Sequence, residues 1–199
     1  MSISVICSRA GVWSAPLLLF AVPAKLQGQL SLQEALRSAF PPPATVERHT
    51  AFLSPEDLAV ISKDAGADTP VNQRVVSYYL AKRNGEQVGV AYFDSHRVRT
   101  LNEVVMIVVE PHDGKTGRGD RIRSIEVLRF AEPPEYHASD EWLDQFKGRV
   151  LSPELSLKES IANMTGATLT SNAIVRAARR VLATHARIKP FYTTAGKSP

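Results

Sequence analysis

The chain has 199 residues, enough for one ordinary domain, and its 44% apolar and 22% charged residues exclude wholesale disorder. Twenty-four Lys+Arg against 20 Asp+Glu give a modest charge of +4, dispersed along the chain, which argues only weakly for nucleic acid or anionic lipid, and no nucleic-acid partner is assigned. A single cysteine, Cys7, excludes a disulfide framework and a cysteine-rich metal site.

Residues 1–24 read as a signal peptide. One base, Arg9, precedes a short apolar run at 12–22, and Val22 and Ala24 are small enough for a cleavage site. The run is too short to span a bilayer, so export is expected, with Cys7 removed on cleavage. A helical segment follows at 25–70. Ser31 and Glu34 form a capping box for a helix at 30–40, stopped by Pro41, Pro42 and Pro43. A second helix is predicted at 55–65, with Ser54 as N-cap, Pro55 in the first turn and Gly66 beyond its end.

The chain then turns to strands. Residues 74–81 and 87–93 flank Asn84-Gly85, a hairpin signal; 103–110 is a nearly continuous apolar run; and 121–128 alternates imperfectly, as at a bulged edge. This pattern predicts an α+β fold: an antiparallel sheet of about four strands flanked by short helices. A proline-stiffened loop at 131–136 leads to a short helix at 139–147 presenting Trp142 and Phe146. An amphipathic helix at 172–186 has Ile174, Val175, Ala178, Val181 and Leu182 as its apolar stripe and Arg176, Arg179 and Arg180 on its wet face. A flexible tail is expected over 189–199.

Several chemical signatures fail. Gly114-Lys115-Thr116 resembles the end of a P-loop, but Val109 occupies the place of the upstream glycine. His49, His96, His112, His137 and His185 lie too far apart for ligand spacing, and no serine sits in a nucleophile elbow, so neither a metal nor a catalytic residue is assigned. What remains is the stretch 163–172, with four hydroxyls, which holds Thr165-Gly166-Ala167-Thr168-Leu169-Thr170 and leads into the last helix. Backbone N–H groups and the helix dipole make that position suited to a phosphate. Thr170 is expected to cap the helix.

This hexapeptide resembles the S/T-G-A-T-x-T/S signature of FMN-binding domains, as in the C subunit of Na⁺-translocating NADH:quinone oxidoreductase and the G subunit of the Rnf electron-transport complex. The similarity extends over the strand order, residues 130–136 and the Trp142/Phe146 helix, about 71–186 in all, within an FMN-binding domain assigned to 71–188. It implies FMN joined by a phosphoester to Thr168 by a flavin transferase that uses FAD, with Thr165, Gly166, Ala167, Leu169 and Thr170 around it. It also implies Glu132, Tyr136 and Trp142 near the flavin, electron transfer with membrane-bound redox proteins, and a place in the periplasm or on the outer face of the cytoplasmic membrane. One departure is plain: the family's acidic residue six positions before the modified threonine is Ala162 here, followed by Asn163. The alternative reading is a module on the same fold that binds flavin non-covalently or not at all.

Overall fold

A computed structural model describes residues 31–112, 119–157 and 159–192. The expected signal peptide, the P-loop look-alike at 114–116 and the end of the expected tail lie outside the described residues.

The helical starts follow from their caps. Helix α1 (Leu32–Ala39) begins at Ser31, whose hydroxyl and Glu34 close the capping box. Helix α2 (Pro55–Ala65) begins at Ser54, with Pro55 in the first turn and Asp57 completing the box, and it ends at Gly66 with φ +109°. Between them lies an unanticipated strand, β1 (Thr45–Phe52). The strands β2 (Val75–Arg83), β3 (Glu86–Arg97), β4 (Asn102–Glu110) and β5 (Arg121–Phe130) follow as predicted, so the sheet has five strands rather than four. All neighbours are antiparallel, in the order β1-β2-β3-β4-β5. Register shifts in the β4–β5 ladder confirm the bulged character of β5.

Helices cover both faces. On one face α1 packs Ala35, Leu36 and Phe40 against Ala81, Ala91, Met106 and Val108. Gly89 is required there, because a Cβ would stand 2.9 Å from the Phe40 ring. The other face carries the main core: Val90, Val105, Ile107 and Ile122 pack on Ile174, Ala178, Val181 and Leu182 of α4 (Thr168–Ile188). The predicted apolar stripe of α4 is buried throughout. Of its arginines only Arg176 is exposed as expected, while Arg179 and Arg180 are half-buried. Arg179 donates to the carbonyls of Ala65, Ser152 and Leu155, Arg176 pairs with Asp68, and Arg180 pairs with Asp94. The backbone beyond Lys189 continues to pack, with Phe191 against the His185 ring at 5.1 Å. The expected helix at 139–147 is one short turn, α3 (Asp140–Leu143), extended by a 3₁₀ turn at 144–146.

Candidate functional site

The hydroxyl-rich stretch forms the entry to α4, which begins at Thr168 rather than at residue 172. Gly166 takes φ +81° with open space around it, the conformation that lets the chain turn into the helix. The N-cap is Ala167, which has no capping side chain, so the N–H groups of the first turn keep no side-chain partner. A 21-residue helix therefore presents its positive end beside Thr168.

The threonines divide by burial. Thr165 and Thr168 are exposed, as is Leu169, whereas Thr170 is 1% exposed. Thr170 does not cap the helix as expected. Its hydroxyl donates to the carbonyl of Tyr136 at 2.8 Å, tying α4 to the proline-stiffened loop. The capping expectation fails because the helix starts two residues earlier, which turns Thr170 inward. Thr168 keeps its hydroxyl outward, where it accepts a hydrogen bond from Asn163 Nδ2 at 3.0 Å. Ser171 fastens the loop from below, accepting from the N–H of Met164 and donating to the carbonyl of Ala167.

The other candidates surround this entry at different depths. Trp142 is buried in the main core, edge-on to Phe146 at 5.4 Å, and its indole N–H donates to the carbonyl of Ala162 at 2.6 Å. Ala162 in turn donates its N–H to Gln145. The position where the family carries an acid thus serves through its backbone. Glu132 turns one carboxylate oxygen to the β3–β4 turn, where it accepts from the N–H groups of Arg99, Thr100 and Leu101 at 2.7–3.1 Å. Those hydrogen bonds, led by Leu101 and Thr100, hold its carboxyl below the usual range. The turn so fixed sets the Arg99 guanidinium over the Tyr136 ring, 4.8 Å from its centre. Arg99 carried no sequence signal of its own, and Asn163 and Ser171 only that of the stretch they belong to. Asn163 and Ser171 adjoin the motif, whereas Arg99 is placed through Glu132, 33 residues away in sequence.

A phosphate group fits this arrangement. The exposed hydroxyl, the uncapped helix start and the open space at Gly166 leave room for it, and no acidic side chain occupies the first turn of α4. Among the described residues no group of histidines, cysteines and acids is placed to hold a metal ion, and no helix is long and apolar enough to cross a membrane.

Residues 114–183 match the model of the FMN-binding domain family. The match covers β5, the Trp142 segment, the hydroxyl-rich stretch and most of α4. It indicates FMN as the cofactor, so this is an FMN-binding protein. No curated relative and no solved structure matches the chain.

Proposed function

We propose that the protein is an exported electron carrier whose FMN is held by a phosphoester to Thr168. The observation that carries this reading is the outward hydroxyl of Thr168 in the first turn of an uncapped helix. In the attachment step a flavin transferase directs the Thr168 oxygen at the FMN phosphorus of FAD. The new O–P bond replaces the pyrophosphate bond, AMP leaves, and the hydroxyl proton is lost to a base. Asn163 donates to the Thr168 oxygen and so leaves its lone hydrogen free to go. First-turn N–H groups and the helix dipole then stabilise the remaining phosphate charge. Bound flavin supplies the electron-transfer chemistry. Its donors and acceptors are membrane-bound redox proteins, met in the periplasm or at the outer face of the cytoplasmic membrane.

Ala162 supports a second reading, in which FMN is held without a covalent bond, since no carboxylate stands where the transferase signature places one. Co-expression with a flavin transferase, followed by denaturing electrophoresis and in-gel flavin fluorescence, separates the two. The covalent reading requires fluorescence that disappears in Thr168→Val. Flavin that co-purifies with the native protein yet leaves no fluorescent band would establish the non-covalent form.

A further inference from the structure

The β2–β3 ladder runs from Arg83↔Glu86 to Tyr78↔Tyr92 and stops there. Beyond that pair Val75–Ser77 stay laddered to β1 and residues 93–97 to β4, and a cleft of about 600 Å³ lies at the parted strand ends. That volume falls in the range of small-molecule sites. Arg180 of α4, which lines it, stands about 18 Å along the helix axis from Thr168, so the cleft is a different place from the candidate phosphate site.

The cleft has a closed floor and an open rim. Val181, Thr184, Asp94 and His96 close it on the α4 side, whereas Leu32 and Val75 stand exposed on the α1 side. Its walls are aromatic: Tyr79 and Phe93 meet edge-on at 5.3 Å, and Tyr92 lines it with them.

The charges of the floor are matched. Arg180 grips both oxygens of Asp94 through Nη2 and Nε, at 2.7 and 3.0 Å, while His96 bridges Asp94 and Glu103. Two donors are left over. Nη1 of Arg180 takes no part in the bonds to Asp94, and among the described residues it has no other partner. The Thr184 hydroxyl also has none among them, although the residue is only 6% exposed. Arg180 and Thr184 lie four apart on α4, neighbours on one helix face, and both line the cleft. A buried hydroxyl without a partner is costly, and a guanidinium nitrogen can only donate.

We infer that the cleft binds a small, uncharged aromatic molecule through a carbonyl oxygen, which accepts from the Thr184 hydroxyl and from Nη1 of Arg180. The ring of such a ligand packs on Tyr79, Phe93 and Tyr92, where edge-to-face contacts are available. A neutral acceptor suits the floor better than a carboxylate, which would add negative charge beside Asp94, whose own charge Arg180 and His96 already meet.

The test titrates the isotope-labelled full chain with acetophenone and follows amide NMR shifts. Saturable shifts at 75–77, 93–96 and 180–184 are expected. Thr184→Val keeps the side-chain shape and removes only the hydroxyl, so affinity should fall about three- to tenfold, the loss of one hydrogen bond. Because that hydroxyl has no partner in the protein, the same variant should keep the parent Tm, which separates weaker binding from unfolding. Val75→Trp, which fills the rim from an exposed position, should abolish the shifts. Ethylbenzene, which lacks the acceptor, and benzoate, which is charged, should both bind more weakly than acetophenone. No saturable shift with acetophenone, shifts confined to other segments, equal binding of ethylbenzene or benzoate, or an unchanged affinity in Thr184→Val would each overturn the inference.

Discussion

Thr168 and Thr170 sit two residues apart, one exposed and the other buried. Replacing Thr170 by valine keeps shape and β-branching but deletes the donor to the Tyr136 carbonyl at 2.8 Å. The hydroxyl is buried, and Tyr136 is half-buried, so an acceptor is left poorly satisfied. Such a loss costs about 1–2 kcal/mol, which lowers Tm by about 2–8 °C in a chain of this size. Thr168→Val removes an exposed hydroxyl and stays within about 0.5 kcal/mol of the parent. Thermal and urea unfolding should be followed on protein made without flavin transferase, because bound flavin would stabilise the native state and mask the difference. The flavin readout reverses the order: Thr170→Val keeps covalent flavin and Thr168→Val loses it. Equal destabilisation by the two substitutions, or a neutral Thr170→Val, would refute the placement of the helix start on which the site depends.

Burial works to raise the Asp94 carboxyl, but hydrogen bonds from His96 and Arg180 prevail and bring it to about 2 from 3.8. Asp94 therefore contributes about 2 kcal/mol of stability that is fully present above pH 4 and lost as pH falls through about 2. Asp94→Asn should flatten this acid limb in a Tm–pH series; an unchanged limb would remove Asp94 as its source. His96 acts in the other direction. Burial lowers its pKa, the bonds to Asp94 and Glu103 outweigh that, and the net rise means stability present below 6.5 that is lost as pH climbs through the raised value. His96→Gln should abolish that alkaline decline. Within the core, Tyr92 bonds His185 at 3.0 Å and His185 bonds Asp120 at 2.9 Å. Tyr92→Phe should cost about 1–3 kcal/mol in chemical denaturation by stranding the buried His185 nitrogen, and a neutral result would contradict that linkage. Trp142→Phe removes the indole donor to Ala162, so the fold should survive while flavin attachment slows, measured as the rate at which in-gel fluorescence appears. An unchanged rate would mean that this hydrogen bond does not position the loop.

Local chemistry made much of the fold legible. The Ser31 and Ser54 caps, the Asn84-Gly85 hairpin and the apolar run of β4 each announce themselves within a few residues. β1 did not, because an edge strand reading Thr-Val-Glu-Arg-His-Thr-Ala-Phe needs no apolar run, and its charges serve the exposed edge. The start of α4 was displaced because hydroxyl residues resemble caps, while the residue at the N-cap is Ala167. The motif named a candidate site, yet the contacts within it depend on distant partners. Thr170 meets Tyr136 across 34 residues, and Arg180 meets Asp94 across 86. The amphipathic pattern of α4 could identify its arginines as polar but could not name the carbonyls and carboxylates that hold them.

Covalent attachment at Thr168 is tested most directly by intact mass, measured on the full chain co-expressed with and without a flavin transferase and followed by fragmentation of the modified peptide. The account predicts a gain equal to FMN less one water, present only with the transferase, and localised to Thr168. A chain of unmodified mass in both preparations, or a flavin mapped to Thr165 or Thr170, would contradict it.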